Sequence, residues 1–308
     1  AKRTRAMGEM QAASGQAVVR NVSDTARWAA VFRARETERA DALFRDPYAE
    51  RLAGKMGVDI ANTLREGNSH AWAWVARTYL FDQFIAQEIG RGTDMVVNLA
   101  AGLDARPYRM ALPASLQWIE VDLPEILAYK EGILANEKPA CALERVRTDL
   151  SDGSARRALF EDLDRRAERI LILTEGLLVY LSAGEVAALA EDLAGSAHFQ
   201  RWIMDLVSPG LLRMMQRTTG KQLSEVGAPF KFGPPEGPDF FAPHGWEPLD
   251  VKGLLKTAAQ FKRLPFFLRL LGHLPEQKRP AGNRPWAGVC LFKKHERRER
   301  DSSNMRME

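Results

Sequence analysis

The chain has 308 residues, 45% of them hydrophobic and 27% charged, with 44 basic against 40 acidic side chains. A net charge of +4 is too thin for a nucleic-acid binder, and much of the excess lies at the ends, in Lys2, Arg3 and Arg5 and in Lys293-Lys294-His295-Glu296-Arg297-Arg298-Glu299-Arg300. Two distant cysteines, Cys141 and Cys290, make no disulfide framework and fit a reducing cytoplasm, no apolar signal core opens the sequence, and no apolar run approaches a membrane span.

In chain order, residues 1–20 are small, polar and basic, and read as a disordered tail. Ser23 or Asp24 can cap a helix that continues through Ala26, Trp28, Ala29, Val31 and Phe32. Arg33 and Arg35 stand near its end, either as cations favoured by the helix dipole or as an anion site. Asp46-Pro47 opens a short helix. Residues 70–89 read as a long helix with Trp72, Val75, Ala76, Tyr79, Leu80, Phe84 and Ile85 at helical spacing. Arg77 interrupts that apolar face and needs a partner. An acid such as Asp82 or Glu175 would serve, and so would a ligand carboxylate, which suits the guanidinium fork.

Residues 95–99 are a short apolar run rich in β-branched side chains, which reads as a buried strand. Ala100, Ala101 and Gly102 follow, small enough for a tight bend and a close-lying ligand. A second apolar run, 116–121, ends on Asp122. A small-residue turn after one strand and an acid after the next is the nucleotide-ribose arrangement of doubly wound folds. One glycine among alanines, without GxGxxG, suits a ligand that has a ribose but no phosphates, and S-adenosylmethionine is the candidate. An ordinary strand-turn-helix packing unit is the alternative.

A third strand at 142–147 leads to Thr148-Asp149-Leu150, and a helix cap follows at Ser151 or Asp152. Residues 169–174 are almost wholly apolar, a central strand whose C-terminal end meets Glu175. Ser182-Ala183-Gly184-Glu185 is a capping box, and a helix continues to Leu193. Residues 199–207 read as strand five. Glycine and proline then punctuate 208–246, read as a lid with Met214, Met215, Phe230, Phe232, Phe240 and Phe241 as walls or as packing. Residues 249–261 read as a helix, 266–274 as a short apolar segment, and 286–292 as a last strand. The five histidines lack metal-ligand spacing, and neither a GxSxG elbow nor a P-loop occurs, so no metal is expected.

The words Asn98-Leu99-Ala100-Ala101-Gly102-Leu103-Asp104-Ala105-Arg106, Glu120-Val121-Asp122-Leu123-Pro124 and Thr174-Glu175-Gly176-Leu177-Leu178-Val179-Tyr180-Leu181 resemble the leucine carboxyl methyltransferase family in the broad sense. Asp41-Ala42-Leu43-Phe44-Arg45-Asp46-Pro47-Tyr48-Ala49 and Ala76-Arg77-Thr78-Tyr79-Leu80-Phe81-Asp82 extend the resemblance, which runs from about 25 to 181 in one order. The resemblance implies an α/β, Rossmann-like fold: a seven-stranded, mostly parallel sheet with helices on both faces and the last strand antiparallel. One domain is expected over 21–293, with the lid read at 208–246 and a charged tail at 294–308. The resemblance also implies an S-adenosylmethionine-dependent O-methyltransferase. Ala100, Gly102, Asp122 and Leu123 would surround the adenosine, Asp149 would take the adenine amine, the Leu150 N–H a ring nitrogen, and Arg77 the cofactor's carboxylate, with Glu175 beside it.

The expected acceptor is a small or medium, partly hydrophobic molecule methylated on a carboxylate or acidic hydroxyl, with Arg33, Arg35, Phe230 and Phe240 as its contacts. A carboxylate needs no base, whereas a phenol benefits from one, and Glu175 or Tyr180 are the candidates. No nucleic-acid or membrane partner is expected. The alternatives are a protein or peptide C-terminus as acceptor, a hydride-transfer enzyme, which the missing diphosphate glycines oppose, and a non-catalytic adenosine-ligand binder.

Overall fold

In the computed structural model, which describes residues 22–63, 70–218, 220, 228–269 and 281–295, the sheet is built outward from β1 (Met95–Leu99). Parallel neighbours flank it, β2 (Gln117–Asp122) on one side and β4 (Ile170–Thr174) on the other. Beyond them lie β3 (Ala142–Arg147) and β5 (Phe199–Val207), both parallel. β7 (Ala287–Lys294) runs antiparallel to β5 and carries β6 (Trp246–Gly253) on its far edge, so the strand order is β3-β2-β1-β4-β5-β7-β6. The expected seven strands are present with only the last reversed. Strand order switches direction beside β1, which opens a crevice at the C-terminal strand ends.

Both β1 and β4 are buried along their whole length, as strands covered on two faces must be. Met95, Val97, Ile170 and Ile172 face one core with Phe160, Leu163, Val186 and Leu189. Those last four come from α6 (Gly153–Asp164) and α7 (Ala183–Gly195). Val96, Leu171 and Leu173 face the other core with Leu80, Phe81, Phe84 and Ile85 of α3 (Ala71–Gly90). A third cluster joins α1 (Val22–Thr37), α2 (Ala49–Thr63) and α8 (Pro209–Arg217) over the strand ends, through Trp28, Phe32, Leu52 and Leu212. The other α-helices among the described residues are α4 (Arg106–Arg109), α5 (Pro124–Ile133) and α9 (Leu254–Gln260).

Local signals act as the residue types dictate. Ser182 accepts the Glu185 N–H and the Glu185 carboxylate accepts the Ser182 N–H, so α7 opens on the predicted capping box. Asp152 caps α6 by accepting the N–H groups of Ser154 and Ala155.

Three readings are corrected. Residues 249–253 are strand, not helix: β6 spans Trp246–Gly253 and only Leu254–Gln260 is helical. β6 is an edge strand with a register shift between Pro248 and Asp250, where a proline without an N–H is tolerated. β7 continues through Lys294, one residue into the stretch read as a tail. The 208–246 stretch is not one lid. Its first part, α8, covers the strand ends, while residues 237–244 form a 3₁₀ helix that packs the fully buried Phe241 onto Trp202 and Phe292. The predicted N-terminal tail, 1–20, and residues 296–308 of the predicted 294–308 tail lie outside the described residues.

Candidate active site

At the C-terminal ends of β1, β2, β4 and β5 the structure holds one cavity of about 640 Å³. Its floor is the turn after β1. Ala100 and Gly102 both take left-handed backbone there, at φ 54° and 47°. Alanine is strained in that region, which marks the turn as held from outside. A Cβ on Gly102 would stand 3.2 Å from the Ala26 methyl of α1. The holding group is Asp122. Its Oδ2 accepts the Gly102 N–H at 2.6 Å and its Oδ1 accepts the Leu123 N–H at 2.8 Å. A carboxylate oxygen has two lone pairs, so each keeps one for a further donor. Burial pushes the Asp122 carboxyl up from its ordinary value, against the pull of these two N–H groups.

On the β3 side, Asp149 and Leu150 line the cavity. Asp149 accepts the Ser151 N–H at 2.9 Å, while the capping role falls to Asp152. The cavity position and the capping role expected around this point therefore fall on different residues, Asp149 and Asp152.

Arg77 of α3 reaches the cavity from the opposite face. Its Nε donates to Glu175 Oε1 at 3.1 Å, its Nη1 to Asp205 Oδ2 at 3.2 Å, and its guanidinium lies 4.7 Å from the Trp74 ring centroid. Its Nη2 donates to no group among the described residues. Asp205, at the end of β5, also accepts the Gly176 N–H at 2.7 Å. Gly176 has φ 69°, and a Cβ there would press on Arg77 at 3.3 Å. The other oxygen of Glu175 accepts Arg106 Nη1 at 2.8 Å. Arg106 is 2% exposed and donates also to Asp82 and Asp104, each at 2.7 Å. Asp82 in turn accepts both Nη groups of Arg109 at 2.7 Å. A chain of alternating charges thus ties the ends of β1, β4 and β5 to α3. The neighbouring guanidiniums hold the Asp104 carboxyl far below its ordinary value despite burial.

Arg106, Asp104 and Asp205 were not singled out by the sequence. For Asp205 a signal existed: it is one acid inside the apolar run Trp202-Ile203-Met204-Asp205-Leu206-Val207. For Arg106 the signal was weak, because its partners Asp82 and Glu175 lie 24 and 69 residues away.

The outer wall is apolar. Trp28 and Trp74 lie with ring centroids 5.3 Å apart, and Tyr180 and Phe230 5.5 Å apart. Leu211, Met214 and Met215 of α8 join them. Burial pushes the Tyr180 phenol above its ordinary value, so it stays protonated near neutral pH. Among the described residues, none of the His, Cys, Asp and Glu groups forms a cluster suited to a metal, and no helix is long and apolar enough to cross a membrane.

Most expected site residues converge here: Arg33, Arg77, Ala100, Gly102, Asp122, Leu123, Asp149, Leu150, Glu175, Tyr180 and Phe230 all line the one cavity. Two do not. Phe240 packs edge-on to Phe232 and Phe241 in the body, because the 3₁₀ helix turns it toward the α7 side. Arg35 is exposed in the last turn of α1, its guanidinium 5.7 Å from the Phe32 ring centroid. Arg33 is inside, but donates to Asp46 at 2.8 Å and to the Leu103 carbonyl at 2.6 Å.

The strand order, the crevice beside β1 and the acid closing β2 are those of the Rossmann-like α/β class, with the reversed β7 inserted beside β5. The sequence profile of the leucine carboxyl methyltransferase family matches residues 26–194. A protein of Frankia alni, provisionally named an S-adenosyl-L-methionine-dependent methyltransferase, is 34% identical over 82% of this chain and 93% of its own. One from Parafrankia sp. with the same kind of name is 31% identical over 85% and 88%. Among solved structures, a Thermobifida fusca protein provisionally named a methyltransferase superposes with a TM-score of 0.54 at 16% identity, over 90% of this chain and 96% of its own. A DUF574 family protein from Streptomyces avermitilis gives 0.52 at 15% identity, over 88% and 97%. At such identities the structures bear on the fold alone. The chain belongs to the leucine carboxyl methyltransferase family, and with it to the S-adenosylmethionine-dependent methyltransferases.

Proposed function

We infer that this protein transfers the methyl group of S-adenosylmethionine to an oxygen of a small or medium, partly hydrophobic acceptor. One observation carries the reading: a single cavity runs from the nucleoside end at Asp122 and Asp149, past Arg77, to a wall of aromatic and methionine side chains. The residues suit the cofactor. The two open lone pairs of Asp122 match two ribose hydroxyls. The Asp149 carboxylate suits an exocyclic amine, with the Leu150 N–H beside it. Arg77, held by Glu175 and Asp205, keeps Nη2 for a carboxylate. When bound, the cofactor supplies a methyl group on a sulfonium leaving group.

The chain's own work is positioning and exclusion of water. The α1 and α8 walls cover the strand ends and leave a mostly apolar approach. Glu175 orients the two arginines that share its oxygens. Tyr180, a phenol that burial pushes still further above neutral pH, is a donor rather than a base. An apolar wall favours a small acceptor over a protein C-terminus, which would need a broad polar surface.

The test is a screen with methyl-labelled cofactor against small hydroxyarenes, aromatic acids and short peptides. Label on the oxygen of a small acceptor is expected. Label on peptides alone, or on nitrogen or carbon, contradicts the reading.

A further inference from the structure

Among the described residues, every arginine on the cavity wall already has a protein carboxylate. Arg33 holds Asp46, Arg77 holds Glu175 and Asp205, Arg106 holds Asp82, Asp104 and Glu175, and Arg156 holds Asp192. Against these four arginines the wall carries six acids, Asp104, Asp122, Asp149, Glu175, Glu185 and Asp205. The net single positive charge of the bound cofactor does not reverse this excess. A carboxylate acceptor entering such a site loses its hydration and finds, apart from the cofactor's sulfonium, no cation without a carboxylate of its own. A flat, uncharged acceptor meets the apolar faces of Trp74, Tyr180, Phe230 and Met215 instead.

A neutral hydroxyl must lose its proton, so the site needs a base. Glu175 is ion-paired at both oxygens, to Arg77 and to Arg106, whereas Asp205 has a cation on one oxygen and a neutral N–H on the other. Asp205 is placed differently. Its side chain is 15% exposed, on the cavity wall at the end of β5. The Gly176 N–H and Arg77 Nη1 fix one lone pair on each of its oxygens, and the other pair on each is open. The charged and titratable groups around it are Arg77 from α3, Glu175 and Tyr180 from the segment after β4, and the buried Cys290 from β7. Burial and Glu175 raise its carboxyl above the ordinary value, against Arg77 and the Gly176 N–H, which suits a proton acceptor.

Resting on the O-methyl transfer inferred above, we propose that the acceptor is a flat hydroxyarene or enol that enters uncharged, and that Asp205 takes its hydroxyl proton. The O–H bond breaks and the proton passes to an Asp205 oxygen. The acceptor oxygen's electron pair forms the new O–C bond, and the methyl carbon's bond to sulfur breaks with its pair left on sulfur. The products are a methyl ether, S-adenosylhomocysteine and a protonated Asp205, which returns its proton to water.

Two measurements on the full chain test this. In the presence of S-adenosylhomocysteine, calorimetry should show 2-naphthol binding about tenfold or more tighter than 2-naphthoate, the difference a desolvated charge imposes. Equal affinities, the reverse order, or no binding of either overturn the acceptor class. Asp205→Asn should then lower kcat/KM for 2-naphthol at neutral pH by about tenfold or more, with recovery as pH rises toward the naphthol's own ionisation. A loss of the same size at every pH is a defect from the lost Arg77 contact and would overturn the base assignment, as would an unchanged kcat/KM. Methylation of 2-naphthoate on oxygen overturns this inference and leaves O-methyl transfer standing. Methylation of 2-naphthylamine in preference to either overturns O-methyl transfer itself.

Discussion

Asp122 Oδ2 accepts the Gly102 N–H at 2.6 Å, so the acid that closes β2 is tied to the turn that closes β1. The strained turn and the carboxylate proposed for the ribose are therefore one unit. Asp122→Ala should weaken S-adenosylhomocysteine binding by about 2 kcal/mol or more, as expected for a charge-assisted pair. Calorimetry reads this directly, and unchanged affinity in a folded variant removes Asp122 from the cofactor site.

The same carboxylate predicts a pH dependence. Burial raises the Asp122 carboxyl above its ordinary 3.8, and hydroxyl donors favour the ionised form. Cofactor affinity should therefore fall as pH is lowered, beginning above 3.8 and reaching a slope of about one log unit in Kd per pH unit. Asp122→Asn should remove that component. A wild-type affinity flat down to 3.8 contradicts it.

Arg77→Lys replaces a fork with a point charge and loses the geometry shared by Glu175 and Asp205. Cofactor binding should weaken by about 1 kcal/mol or more, with little change for decarboxylated cofactor. If the wild type binds intact and decarboxylated cofactor equally, Arg77 serves only its protein partners.

Arg106 is an energetic keystone rather than a ligand. Arg106→Met leaves Asp82, Asp104 and Glu175 facing one another without it, and should destabilise the fold by about 3–5 kcal/mol at neutral pH. The Asp104 carboxyl lies below its unfolded value, so its contribution is full above about 3.8 and is lost as pH falls below that. Urea unfolding across the acid range should show the variant losing this low-pH slope.

Two phenylalanines separate wall from body. Phe230 lines the cavity, so Phe230→Ala should raise the acceptor's KM and leave cofactor affinity nearly unchanged. Phe240 packs against Phe232 and Phe241, so Phe240→Ala should lower stability by about 2–4 kcal/mol with little effect on KM. The opposite pattern would mean that the acceptor enters from the 3₁₀-helix side.

These contrasts show what a sequence can carry. β1 and β4 are legible because parallel strands buried along their whole length are nearly continuous apolar runs, and Asp122 because it ends the largely apolar β2. β6 is not, because an edge strand with one covered face and Pro248 at its bulge has no such run. Phe230 and Phe240 look alike in a list of aromatics, and only the path of the chain sends one to the cavity and one to the body. Arg106 reads as a solvated charge after a turn until the fold brings Asp82 and Glu175 to it.

The central claim is that the cofactor lies between Asp122 and Arg77 with its reactive end toward the aromatic wall. A crystal structure of the full chain with S-adenosylhomocysteine tests it most directly. The account predicts both ribose hydroxyls on the Asp122 carboxylate, the amino-acid carboxylate on Arg77 Nη2, and the sulfur facing Asp205, Tyr180 and Phe230. A sulfur that opens onto a broad polar surface, or a ribose away from Asp122, contradicts it.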